Sequence, residues 1–212
     1  WHFPDGSAIT VICGLLPADL RSPLADPADP NYTELYTYAD TDALLELFGH
    51  LRALNPASEL TVRNAGNLEP DNYTAHLVVL GNGDGNPAAH DLLSRTDAPV
   101  TQTARGPHGG CFEVRRGDQV KQFRAAFKPA DRFIAQLDDE MTGSATEDDE
   151  VLAEDVALFL RTVNPHNRKR TLTICSGLYS RGTLGAVRAL TDRRFRDRNA
   201  RHVDKHVSDA EN

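Results

Sequence analysis

Twice this chain leaves a short, largely apolar strand through a glycine-rich corner and enters a helix, and that repetition constrains the fold more than any other feature. His76-Leu-Val-Val-Leu80 runs into Gly81-Asn-Gly-Asp-Gly-Asn86 and then a helical pattern over Pro87–Ser94. Thr171-Leu-Thr-Ile-Cys175 runs into Ser176-Gly-Leu-Tyr-Ser-Arg-Gly182 and then a helical pattern from Thr183 to Leu190. Leu77-Val-Val-Leu80 does not alternate apolar with polar, which is how a strand buried on both faces of a helix-covered parallel sheet reads. The pattern predicts an α/β fold: a three-layer Rossmann-like domain with a mainly parallel sheet. All 212 residues belong to one domain on this reading, since a chain of that length buries about 70% of the surface it exposes when unfolded.

The remaining segments fit around this frame. Ile9–Gly14 is a β-branched first strand ending at a glycine. Leu15–Tyr38 holds four prolines and reads as a long ordered loop, a kind more often functional than connective. Leu44, Leu47, Phe48, Leu51 and Leu54 recur at helical spacing over 40–54, with Asp40 or Thr41 placed to cap the first free amides and Asn55-Pro56 to stop the helix. Leu60–Arg63 is a second strand and Asn67–Tyr73 a brief helical turn. Val100–Thr103, Cys111–Arg115 and Gln122–Phe127 alternate in a β manner between glycine-rich turns, predicting a small antiparallel β insertion over 100–127. The acidic run 138–150 reads as a solvated, mobile loop. Asp155–Arg161 is expected to resume the parallel pattern, followed by a polar turn over 164–170 and a polar helix over 192–206.

Charge and cysteine usage narrow the functional classes. The formal net charge of −8 excludes a body that is basic throughout, while Arg188, Arg193, Arg194, Arg196, Arg198 and Arg201, with Arg168-Lys-Arg170, leave a local basic tract. That tract is read as charge pairing within the chain, as an interface, or as a contact to nucleic acid. Three cysteines, Cys13, Cys111 and Cys175, are odd in number and far apart, so no disulfide framework is implied and a reducing, cytoplasmic setting is expected. No apolar run approaches the roughly 18 residues of a membrane span, so no membrane partner is expected. The chain opens on Trp1 rather than methionine, which predicts a piece of a longer protein.

Ligands of open parallel sheets gather at the carboxyl ends of the strands, where helix N-termini direct free amides outward. The first corner supplies Gly81, Gly83 and Gly85 for close backbone approach and Asn82, Asp84 and Asn86 as directional polar groups. It lacks the Lys-Ser/Thr of a phosphate loop and the spacing of a dinucleotide fingerprint. The second corner supplies Ser176, Gly177, Ser180, Arg181, Gly182 and Thr183, a set suited to a phosphate or carboxylate. Cys175 and Arg181 stand six apart, the spacing of a cysteine-phosphatase loop, but Ile174 and Gly182 depart from that pattern. Asp155 begins its strand and is therefore expected at the far end of the sheet from both corners. His202 and His206, four apart, have no third ligand nearby in sequence, and no metal and no cofactor is expected.

Several blocks resemble, in content and spacing, the C-terminal domain of actinobacterial transcriptional regulators that carry a phage-repressor-type helix-turn-helix. They are Trp1-His-Phe-Pro-Asp-Gly6, Phe48-Gly-His50 with Asn55-Pro56, His76–Gly81, Asp155–Phe159, Asn164-Pro165, Thr173–Gly177, Ser180-Arg-Gly182 and Arg188–Asp192. The chain departs from that family in Gly81-Asn-Gly-Asp-Gly-Asn86, where a Gly-Gly pair and an aromatic before the asparagine are expected. The resemblance implies a regulator with an upstream DNA-binding domain, and through it DNA, as partners. The function expected is thus a small-anion or nucleotide-sensing and oligomerisation domain, compatible with a homodimer. Two alternatives stand beside it: a nucleotide-processing enzyme (a hydrolase, transferase or phosphatase) and a purely structural interaction module.

Overall fold

The computed structural model describes residues 1–3, 6–103, 110–129 and 150–208. Five strands form the main sheet: β1 (Ile9–Cys13), β2 (Leu60–Asn64), β3 (His76–Leu80), β9 (Ala157–Asn164) and β10 (Asn167–Gly177), in the order β2-β1-β3-β10-β9. The pairs β1–β2, β1–β3 and β3–β10 are parallel, whereas β9 pairs antiparallel with β10. The fold is therefore mixed α/β with a mostly parallel sheet. A three-stranded antiparallel sheet, β4 (Val100–Thr103), β5 (Cys111–Arg116) and β6 (Gln119–Phe123), and a two-stranded one, β7 (Ala126–Pro129) with β8 (Glu150–Glu154), lie beside it. The predicted β insertion is thus present, although Arg124-Ala125 divides the expected Gln122–Phe127 strand in two. The acidic run 138–150 lies outside the described residues except for Glu150, the first residue of β8.

Strand geometry alternates side chains between faces, and the core follows that alternation. Ile9, Val11 and Cys13 cluster with Ala43, Leu44, Leu47 and Leu51 of helix α1 (Thr41–Leu54) and with Ala186 and Val187 of α3 (Ser180–Arg188). Ile12, Leu77 and Val79 join Ala88, Ala89 and Leu92 of α2 (Pro87–Ser94) in a second cluster. A third, built on Val100, Phe112 and Leu178, seats the β4–β6 sheet against the exit of β10. Asn55 ends α1 as expected: it is buried, its Nδ2 donates to the carbonyl oxygens of Leu51 and Trp1, and its Oδ1 accepts from the Phe3 amide. One residue thereby closes the helix and holds the N-terminal segment.

One expectation changes. The segment from Asp155 does not resume the parallel pattern, because Pro165-His166 leaves room only for a hairpin between β9 and β10. A parallel neighbour needs a crossover of a dozen or more residues. The start of β9 consequently lies at the carboxyl ends of the parallel strands, and Asp155 with it, not at the far end. The loop 15–38 is ordered, as expected, through three short 3-10 turns (Ala18–Leu20, Pro23–Ala25 and Glu34–Thr37) and a bridge from Leu15 to Tyr38. The last two helices shift by a few residues, to Ser180–Arg188 and to Arg196–Ser208 (α4).

Leu47 has no exposed surface and packs between α1 and the sheet. Replacing it, Leu47→Ala, is expected to cost about 2–5 kcal/mol, read as a lower urea midpoint at unchanged slope.

Candidate functional site

The carboxyl edge of the sheet has a point where the chain diverges. β1 leaves through α1 to reach β2 on one side, while β3 leaves through α2 on the other, so the two exits part at adjacent strands. Open α/β sheets bind ligands at such points. Here the exits touch: the Leu15 amide donates to the Gly85 carbonyl at 3.1 Å, and a Cβ on Gly14 would lie 2.8 Å from that same oxygen.

In the first corner, Gly81 has φ +97°, a left-handed conformation that favours glycine. The side chain of Asn82 donates to the Leu178 carbonyl and accepts from the amides of Asp84 and Gly85, tying the corner to the exit of β10. Asn86 is fully buried; its Nδ2 donates to the carbonyls of Leu80 (2.8 Å) and Ile12 (3.4 Å), and its Oδ1 accepts from the Ala89 amide to cap α2. Both asparagines hold the loop from within. Gly83 and Asp84 are placed differently, at the rim of a cavity of about 260 Å³ shared with His90, Leu93, Val100 and Gln102. Gln102 reaches across from β4 to accept from the Gly83 amide at 3.1 Å.

The second corner already holds carboxylates. Asp155 accepts from the amides of Val156 (2.8 Å), Tyr179 (3.1 Å) and Gly182 (2.6 Å), so it sits on the N-terminus of α3 where a ligand anion was expected. A Cβ on Gly182 would lie 2.7 Å from Asp155 Oδ2, and one on Gly177 would strike the Thr183 amide. These two glycines admit the carboxylate and the tight corner. Thr183 accepts from the Gly177 amide, and its hydroxyl and that of Ser180 lie by the Asp40 carboxylate. Ser176 is buried beneath the corner with its hydroxyl unpartnered, and Arg181 is exposed, donating to the Leu152 carbonyl.

Asp40 was expected to cap α1; it makes no side-chain cap. Among the described residues it is the one non-glycine residue at positive φ (55°). That backbone turns its carboxylate over β3, where Oδ2 would lie 2.8 Å from a Cβ on Gly81. Its other oxygen, Oδ1, is buried without a hydrogen-bond partner. Burial raises the Asp40 pKa above the ordinary carboxyl value, the Ser180 and Thr183 hydroxyls oppose the rise, and the nearby Asp155 charge adds to it. Asp40 lines a cleft of about 240 Å³ with Asp42, Ser180, Arg181 and Leu184.

The local sequence marks Asp40 as a candidate helix cap, and its actual position depends on the long loop before it. Asp155 was legible, had the hairpin spacing been followed to its consequence. Neither Cys13 nor Cys175 is poised as a nucleophile: Cys175 is fully buried and its thiol pushed up by burial, while Cys13 is pushed up to about 12 by burial and by the Asp40 charge. No group of three or more His, Cys, Asp or Glu residues suited to a metal occurs among the described residues. No described helix is long and apolar enough to cross a membrane. Comparisons with protein families, with curated proteins and with solved structures find no match to this chain.

Two measurements test this arrangement. Removing the carboxylate under α3, Asp155→Ala, leaves three amides without their acceptor and is expected to cost about 1–2 kcal/mol in denaturant unfolding at neutral pH. Asp40 behaves oppositely. Its folded pKa lies above the unfolded value near 3.8, so the stability linked to it is complete below that value and is lost as pH rises through the raised one. Asp40→Asn, which keeps shape and tolerates the left-handed backbone, is expected to gain on the wild type as pH is raised from about 4 to about 7. A difference between the two proteins that is constant across that range would refute the assignment.

Proposed function

We propose that this chain is a Rossmann-like, three-layer sensing domain that binds a small nucleotide-like molecule at the carboxyl edge of its sheet. Asp40 is the observation that carries the reading. A left-handed aspartate with one buried, unpartnered oxygen, poised where β1 and β3 part, is conformationally costly and contributes nothing to helix capping. Its unpartnered oxygen calls for a donor, and hydroxyls of a sugar are donors of the right kind. Asp42 adds a second acceptor in the same cleft, and the guanidinium of Arg181 adds one cation for an anionic group.

The ligand's chemistry is therefore mixed rather than simply anionic. Asp155 holds the amides of Tyr179 and Gly182, so Ser176, Gly177, Gly182 and Thr183 shape the floor while Ser180 and Arg181 face the cleft. Each cavity is smaller than the roughly 300 Å³ at which drug-sized sites begin. A nucleotide would thus spread over the Gly81–Asn86 loop, its sugar toward Asp40 and its ring toward the side of Gly83, Asp84 and Gln102. Displacement of the 15–38 loop, which positions Asp40, would carry occupancy to an upstream helix-turn-helix domain and, through it, to DNA. A homodimer and a cytoplasmic, reducing setting complete this reading.

The enzyme alternative retains one favourable observation, a carboxyl group of raised pKa in a cleft, which is the form a general acid takes. It becomes the better reading if any bound nucleotide is turned over.

Thermal unfolding against a panel of nucleosides, nucleotides and sugar phosphates at millimolar concentration tests the proposal. A ligand at about 100 times its dissociation constant stabilises by about 2.7 kcal/mol, which raises the midpoint of a chain this size by about 5 °C or more. The expected result is such a rise in the wild type and its loss in both Asp40→Asn and Gly83→Val. A flat panel, or a rise that survives both substitutions, removes the site.

A further inference from the structure

Part of the basic tract, Arg198 and Arg201, lies with Lys205 on one exposed face of the last helix. Along α4, Arg196, Asn199, Ala200 and Val203 are half-buried, whereas Arg198, Arg201, His202 and Lys205 are exposed. The helix is anchored on its inner side, where Asn199 Nδ2 donates to the Ala189 carbonyl at 2.9 Å. Between Arg193 and Lys205 the sequence carries six cationic and two acidic residues, in a chain whose formal net charge is −8.

Folding gives no reason for this placement. The first turn of a helix favours acids, yet Arg196 and Arg198 flank Asp197 there. Like charges four apart on a helix repel, and Arg201–Lys205 stand at that spacing. The Asp192 and Asp197 carboxylates pair with Arg194 and Arg196. Among the described residues no carboxylate pairs with Arg193, Arg198, Arg201 or Lys205. An ordinary solvated helix would interleave the two signs.

We propose that the outer face of α4 is a docking surface for the phosphodiester backbone of a nucleic acid. Arg198, Arg201 and Lys205 lie at i, i+3 and i+7, a stripe about 10 Å long, which is the axial length of about three phosphates on one strand. Arg193 and Arg194 extend it at the helix start. Arginine outnumbers lysine five to one in the tract, and the planar guanidinium fork suits phosphate oxygens in a way an ammonium does not. A membrane surface is the poorer match, because Ala200 and Val203 face the body and leave the outer face without the aromatic and aliphatic residues that enter lipid. An acidic protein is poorer too, since Arg198, Arg201 and Lys205 frame no buried apolar anchor. Backbone contact of this kind reads no base edges, so the surface binds without regard to sequence.

This surface stands apart from the carboxyl-edge site and is tested apart from it. The full chain is titrated onto a fluorescent 20-base-pair duplex at salt between about 50 and 200 mM. With four or five phosphates neutralised, the slope of log affinity against log salt is expected near −4. Arg198→Glu with Arg201→Glu is expected to flatten that slope by about 2 and weaken binding by at least about tenfold. Arg198→Gln with Arg201→Gln, equally helical by circular dichroism, should lie between. No binding at about 50 mM salt, or a slope that the substituted helix leaves unchanged, overturns the proposal. So does tighter retention by polyglutamate, or by vesicles containing phosphatidylserine, than by the duplex.

Discussion

The amide side chain of Asn86 holds the carboxyl edge of this fold together. It has no exposed surface, and its nitrogen spans the last carbonyl of β3, at Leu80, and a carbonyl of β1, at Ile12, while its oxygen caps α2. Parallel strands leave their final carbonyls without sheet partners, and a buried carbonyl without a partner costs free energy comparable to a lost hydrogen bond. One asparagine meets that need on two strands and starts a helix besides. With its side chain committed inward, the loop before it bends back so that Gly85 meets Gly14 and Gly81 adopts positive φ. The parting of β1 and β3 is consequently a closed backbone contact, and any ligand must lie over it rather than within it.

Carboxylates govern what can lie there. A helix N-terminus attracts an anion because its amides are unpaired and its dipole is positive. In this fold the anion is supplied by the chain itself. Asp155 reaches α3 because a two-residue hairpin reverses β9 and brings its start to the carboxyl edge. The same event turns an apparent phosphate corner into a neutralised one, and it places a second negative charge near Asp40. Asp40 in turn lies by two hydroxyls of α3, of which that of Thr183 also receives the Gly177 amide. The chain Gly177–Thr183–Asp40 links the end of β10 to the start of α1 across β3, so a donor arriving at the free oxygen of Asp40 acts on a polar network shared by three elements.

Much of this was legible in the residues. The β-branched run Ile9–Cys13 identified β1, the apolar run Leu77–Leu80 identified β3 and Thr171–Cys175 the core of β10, and Leu44, Leu47 and Leu51 identified the buried side of α1. Where the reading failed, tertiary context had replaced a local rule. Asp40 stands before a helix in the position of a cap, and capping is what local chemistry predicts; its left-handed backbone is set by the loop from Leu15, which pairs back at Tyr38, and no short pattern encodes that closure. The second corner has the composition of an anion site in every local respect. Its occupant comes from 24 residues upstream of Tyr179, a separation that composition does not report. Asp155 differs from Asp40 in one respect: the spacing between two β runs did encode its position, because four residues from Asn164 to Asn167 admit only an antiparallel return.

Seen whole, the charge of the molecule is divided rather than merely negative. Asp40, Asp42, Asp84 and Asp155 gather at one edge of the sheet, where amides, hydroxyls and one arginine surround them. The cations of α4 gather on a face where nothing in the fold requires them. A net charge of −8 distributed evenly would repel any polyanion at range, and at physiological salt that repulsion fades beyond about 8 Å. A local stripe of guanidinium groups longer than that distance is therefore felt as positive by whatever touches it, whatever the sign of the whole. Separation of this kind lets one small domain offer acceptors to a hydroxyl-rich ligand at its carboxyl edge and donors to phosphates along its last helix, with neither surface cancelling the other.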